Sequence, residues 1–196
     1  MTSDLVSLIK RKLTAIPAED LAQEFAEKAC VAVLLRGSTL DTLEVAYIRR
    51  SISPHDRWSG QVAFPGGRKD ESDEDDFATT RREVAEEVGI VLEKSEWLGH
   101  LSDLRARNQG GFLDFFIRPA VFYLDRSVGT KLDPEEVADF FWVPLEHLRD
   151  PRSRCDYEWR QGVKLPAFQM PGQRHDQPPL WGLTYMMTLD LLTRLN

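Results

Sequence analysis

Residues 66–90 read GGRKDESDEDDFATTRREVAEEVGI, and this stretch decides the fold. Its paired glycines, Gly66 and Gly67, admit positive φ and let other groups approach the backbone closely, so a sharp turn is expected there. Positions 77–88 have helical periodicity, and Gly89 stands where a helix end wants a residue able to turn left-handed. Nine carboxylates (Asp70, Glu71, Asp73, Glu74, Asp75, Asp76, Glu83, Glu86 and Glu87) face only two arginines, Arg81 and Arg82, between positions 70 and 87. This segment holds the entire formal charge of −7, and the rest of the chain is neutral. An acidic run at a helix start complements the helix dipole, which accounts for several of the carboxylates from Asp70 to Asp76. It does not account for the helix itself. At about 100° per residue, Glu83, Glu86 and Glu87 share one arc, apart from the side that carries Phe77, Arg81, Val84, Ala85 and Val88. Like charges at Glu83 and Glu87 destabilise an isolated helix unless something positive lies between them. A hard divalent cation such as Mg²⁺ takes oxygen ligands and supplies that charge. An EF-hand loop is excluded, because Asp75 rather than glycine stands sixth from Asp70.

Outward from this segment, 196 residues with 42% hydrophobic content suffice for one sizeable core, and a single mixed α/β domain is expected. Positions 3–28 read as helix, with Leu5, Leu8, Ile9, Leu13 and Ile16 at helical spacing, a break at Pro17, and a second short stretch carrying Leu21 and Phe25. Residues 1–28 are thus a helical packing arm, and 29–196 the main domain. Strands are predicted at 29–36 and 43–49, forming a hairpin, and at 97–101, 112–124 and 137–143. A helical turn is expected at 145–148, a second hairpin at 155–160 and 163–168, and a closing helix at 180–195; 51–67 and 170–179 read as loops. The acidic balance, with pI near 5.2, argues against unaided binding to nucleic acid or an anionic membrane. No apolar run approaches the ~20 residues of a membrane span, and no signal-peptide stretch opens the chain, so a soluble, cytoplasmic protein is expected. Cys30 and Cys155 are too few for a disulfide scaffold and read as buried thiols.

Gly66-Gly67, the acidic loop and Arg82-Glu83-Val84-Ala85-Glu86-Glu87-Val88-Gly89-Ile90 resemble the signature of the Nudix hydrolases, G-x5-E-x7-R-E-U-x-E-E-x-G-U with U apolar. The helical half matches at every specified position. The first half is one residue longer, so its acid is Asp73 counted from Gly67 and Glu74 counted back from Arg82. The lead-in WSGQVAFPGG (58–67) and the later segments EVADFFWVPL (136–145) and LWGLT (180–184) are similar to the coenzyme A pyrophosphatase branch. That branch carries L-L-T-x-R-S-x3-R-x3-G-x3-F-P-G-G. Gly60 and Phe64 are in register with it, whereas Asp56, with Arg57 beside it, stands where arginine is expected, and Arg50-Ser51 matches only with altered spacing.

The resemblance implies a Nudix-type α/β/α sandwich with a mixed sheet. It further implies a hydrolase that splits a pyrophosphate bond in a nucleoside diphosphate derivative with Mg²⁺ or Mn²⁺. Coenzyme A or acyl-CoA is the first substrate, giving 3′,5′-ADP and 4′-phosphopantetheine derivatives. ADP-ribose, nucleotide sugars or NADH are the alternative, and a non-catalytic nucleotide-binding module is a further one. Glu83, Glu86, Glu87 and the Gly66 carbonyl are the implied metal ligands. Glu83 or a glutamate outside the box, Glu135 or Glu136, is the implied base. Arg82 is expected to orient the carboxylates, because its spacing belongs to the box. Arg50, Arg57 and Gly67 are the expected substrate contacts. Arg49, Arg105, Arg107 and Arg118 are further candidates for phosphate, and Trp58, Phe64, Phe112 and Phe115 for stacking on a base. The implied partner is a small-molecule nucleotide, with no nucleic acid and no membrane, and a homodimer is allowed.

Overall fold

The computed structural model describes residues 2–54, 58–108 and 111–196. Helix α1 (Thr2–Ala15) presents Leu5, Ile9 and Leu13, spaced by four, as one buried stripe, and it stops just before Pro17. Strands β1 (Glu27–Arg36), β2 (Glu44–Arg50), β3 (Val62–Ala63) and β4 (Gly66–Arg68) lead into helix α2 (Asp76–Val88). Then follow β5 (Trp97–His100), β6 (Leu104–Asn108), β7 (Gly111–Tyr123), β8 (Val137–Pro144) and the short helix α3 (Leu145–Arg149). The chain closes with β9 (Arg154–Arg160), β10 (Val163–Phe168), β11 (Leu180–Trp181) and helix α4 (Gly182–Leu195).

Strands β1 to β8 make one mixed sheet, and β9 to β11 a separate antiparallel one. In the large sheet β1 lies at the centre, parallel to β7 and with its start antiparallel to β4. Both faces of β1 are covered, which is why its sequence is continuously apolar rather than alternating. Val33 and Leu35 pack with Tyr47 and Val121 under α1 and α4, while Ala32 and Leu34 pack with Ile48 and Phe122 under Val84 and Val88 of α2. The result is the expected α/β/α sandwich. Arg194, buried in α4, donates to the carbonyls of Leu13, Ile16 and Pro17 and so caps the end of α1 against the core.

Several elements differ from the reading of the sequence. The stretch around Leu21 and Phe25 is a turn, and β1 begins at Glu27. The supposed 51–67 loop takes in β3 and the start of β4, strands of two and three residues that are too short for periodicity to register. Strand β6, with the polar sequence LRARN, was not expected at all and is held by pairing with β7. The first hairpin exists only at its tip, Leu35 opposite Val45 and Arg36 opposite Glu44, because β2 runs on beside β8. Among the described residues no helix is long and apolar enough to cross a membrane.

Candidate active site

Helix α2 is set in place by its ends. Asp75 is its N-cap and accepts from the Ala78 N–H at 2.8 Å; Gly89, at φ +73°, closes the other end and donates to the Ala85 carbonyl. Val84 and Val88 face the sheet, whereas Arg81, at the margin of that face, is exposed. Strand β4 brings the glycines to the same helix: Gly67 pairs with Cys30 and Gly66 with Val31. Gly66 has φ +141°, and a Cβ there would collide with the Cys30 carbonyl.

Glu87 is 2% exposed, and its Oε2 accepts the Gly66 N–H at 2.7 Å. Burial pushes its carboxyl up to about 8, helped by the charges of Glu83 and Glu136 and opposed by the Gly66 N–H and Arg50. Burial also raises Glu83, against the pull of Arg82 and with the push of Glu86 and Glu136. Gly67 also lies close against the helix, for a Cβ on it would lie 2.5 Å from the Glu83 carboxyl.

Arg82 organises the rest. Its Nε and Nη2 make a fork on Asp73 at 3.1 and 2.9 Å, and Nη2 also donates to the Arg68 carbonyl. Its Nη1 bridges Glu83 at 2.8 Å and the mostly exposed Glu86 at 3.2 Å. The fork holds Asp73 at about 2, well below the usual carboxylate range. Asp73 is thus the acid of the acidic loop that meets the box arginine, whereas Glu74 is exposed. With a guanidinium nitrogen between Glu83 and Glu86 and a backbone N–H on Glu87, the carboxylates do not yet converge. Among the described residues no three acidic, histidine or cysteine side chains form a ready cation cage. The all-oxygen donor set and the uncomfortably buried Glu87 nevertheless suit a hard divalent ion.

Of the remaining candidates, Glu136 is among the largest electrostatic influences on both Glu83 and Glu87. Arg50 lies close enough to Glu87 to act on it electrostatically, and Arg57 falls outside the described residues. Arg118 is not available for substrate phosphate. It is buried, with a fork on Asp103 at 2.9 and 2.6 Å and further contacts to Asp76 at 2.9 Å and Asp20 at 2.6 Å. Asp76 also takes Lys28, so this cluster ties the arm, β7 and the first turn of α2 together. Arg49 is buried and donates to the carbonyls of Gly60 and Pro178, clipping two loops. Phe64 stacks on Tyr47 inside the core at 4.8 Å, and Phe115 packs on Ala29 and Ala106; Phe112 is exposed beside Arg105 and Arg107. Sequence reasoning missed Asp103, for which there was no local signal, and read Asp76 only as part of the acidic run at the helix start.

The NUDIX domain family model matches residues 27–161. Mouse peroxisomal coenzyme A diphosphatase NUDT7 is 36% identical over 96 residues, covering 49% of this chain and 39% of that relative. Nudix hydrolase 3 of Caenorhabditis elegans is 30% identical over 204 residues, covering 95% of this chain and 82% of its own length. Against the mouse protein and two further relatives, the chain spans between 33% and 64% of the relative's length. A solved structure of a MutT/nudix family protein from Enterococcus faecalis superposes with a TM-score of 0.56 at 14% identity, covering 97% of this chain and 73% of that one, and so shares the fold. With a matching model over most of its length, a relative matched nearly end to end, and the glycine turn packed on the carboxylate helix, the chain belongs to the Nudix family.

Proposed function

We propose that the chain hydrolyses a pyrophosphate bond in a nucleoside diphosphate derivative with Mg²⁺ or Mn²⁺, and that coenzyme A or an acyl-CoA is its substrate. The observation that carries this reading is the convergence of Gly66 and Gly67 on Glu83 and the buried Glu87. Glu83, Glu86, Glu87 and the Gly66 carbonyl would hold the ion. When bound, it neutralises phosphate oxygens and lowers the pKa of an attacking water. Arg82 positions Glu83 and Glu86; Glu136, whose charge reaches both Glu83 and Glu87, is a further carboxylate able to accept a proton from that water, and Arg50 and Gly67 line the approach of the phosphates. Support for coenzyme A comes from the lead-in to the glycines and from the mouse relative's name. The Asp56 departure in the branch motif favours ADP-ribose, nucleotide sugars or NADH as the second reading. A non-catalytic module is disfavoured by the retention of all three glutamates.

The test is a panel of coenzyme A, ADP-ribose, NADH and nucleotide sugars with Mg²⁺ or Mn²⁺, products being followed by chromatography. Coenzyme A should give 3′,5′-ADP and 4′-phosphopantetheine, and Glu87→Gln should lower turnover by at least about 100-fold. Preferential cleavage of nucleotide sugars would overturn the substrate choice, and no cleavage at all would overturn the hydrolase reading.

A further inference from the structure

A cavity of about 340 Å³ opens at the free edge of β6, between the turn that ends at Phe25 and the start of α4. Three side chains that the sequence offered separately, two for phosphate and one for stacking, meet there. Phe112 lies opposite Arg107 across the β6–β7 pair. The Arg107 guanidinium sits 4.6 Å from its ring centroid, and that of Arg105 lies 5.0 Å from both Phe112 and Phe25. Leu183 and Met186 of α4 close the apolar side.

The charges divide the work. Arg105 is held by the Leu113 carbonyl and by Asp114, and Asp103 is consumed by Arg118. Arg107 has no ion pair among the described residues, so its charge is free for a ligand. Glu19 and Glu24 also line the cavity; carboxylates accept hydrogen bonds from an exocyclic amino group and repel a carbonyl. Phe112 is 57% exposed, a large ring that remains accessible beside the two guanidiniums. An aromatic plate, an unpaired guanidinium and carboxylate acceptors within a cavity of ligand size suit an aminopurine nucleotide.

The cavity also lies at the right end of the sheet. Gly67 pairs with Cys30, Cys30 with Arg118, and β6 follows with Leu104 opposite Ile117. Three strand spacings, about 14 Å, separate the glycine turn from β6; Cys30 and Arg118 between them are buried, so an extended nucleotide would run past the exposed start of β1 at Glu27 rather than across the sheet face. Resting on the hydrolase reading above, we infer that this cavity is the subsite for the adenine nucleotide half of the substrate, with Phe112 stacking the base and Arg107 holding a phosphate.

Isothermal titration of the metal-free protein with adenosine 3′,5′-bisphosphate tests the inference without turnover. Saturable binding is expected, weakened at least tenfold in Phe112→Ala and in Arg107→Gln and at least fivefold for the inosine analogue. Both substitutions are at exposed positions, so melting temperatures should stay near the wild-type value and separate lost binding from lost folding. No binding by the wild type, or equal binding by both variants, overturns the subsite. In turnover assays both variants should raise KM for the pyrophosphate substrate. Hydrolysis with KM unchanged in both sinks the subsite and leaves the hydrolase reading standing; nucleotide binding that both variants lose, without cleavage of any substrate, does the reverse.

Discussion

Glu87 gives the sharpest handle on the proposed cation site, because its protonation and the binding of a cation there would exclude one another. Burial raises its carboxyl from 4.5 to about 8 in the metal-free protein. At pH 7 about ten molecules are then protonated for each one charged. A cation takes the carboxylate form, so binding at pH 7 should release about 0.9 proton, and affinity should rise about tenfold per pH unit up to 8 and flatten above it. The same shift governs stability without metal. The folded pKa lies above the unfolded one, so the stability from neutral Glu87 is fully present below pH 4.5 and is lost as pH rises through 8. The cumulative loss is on the order of 5 kcal/mol. Titration calorimetry of Mg²⁺ or Mn²⁺ in two buffers of different ionisation enthalpy measures the proton count directly. In Glu87→Gln the proton release should fall towards zero, cation affinity should drop at least tenfold, and the alkaline loss of stability should shrink. Binding that releases no proton at pH 7, or a variant that binds cation as tightly as the wild type, would refute the reasoning.

Other substitutions separate packing from chemistry. In Gly67→Ala the new Cβ meets the far end of the flexible Glu83 side chain. Glu83 should move at a cost in stability below about 1 kcal/mol, with turnover falling tenfold or more; unchanged turnover would contradict the close approach. Arg118→Leu strands the fully buried Asp103 and leaves the nearly buried Asp76 with Lys28 alone. Denaturant unfolding should show a loss of about 3–5 kcal/mol, and a loss under 1 kcal/mol would mean that the cluster is not a structural tie. The Cys30 thiol is pushed up to about 12, chiefly by burial and then by Asp76. Iodoacetamide at pH 8 should therefore label the partly exposed Cys155 first in the native protein, as peptide mapping would reveal.

What could be read in advance followed from how local each signal is. The box helix carries its cap, its apolar face and its three glutamates within fourteen residues, so helical periodicity alone placed them. The long apolar β1 and β7 announced themselves in the same way. The short β3 and β4 were invisible because two or three residues hold no period, and they exist because β2 and β1 offer them partners. Polar β6 likewise takes its conformation from pairing with β7. Arg118 could only be misjudged, since its partners Asp20, Asp76 and Asp103 lie 98, 42 and 15 residues away. Asp73 and Glu74 were indistinguishable by counting; the Arg82 fork separates them, because only one of two successive loop residues can point inward.

Water attack on a pyrophosphate at the Gly66–Glu87 site is open to direct test. Coenzyme A should be incubated in ¹⁸O-labelled water with Mg²⁺ or Mn²⁺ and the products analysed by mass spectrometry. The expected products are 3′,5′-ADP and 4′-phosphopantetheine, with one ¹⁸O in the phosphate of a single product, and no products should form with a chelator or in Glu87→Gln. Cleavage that survives both the chelator and the substitution would contradict attack at that site.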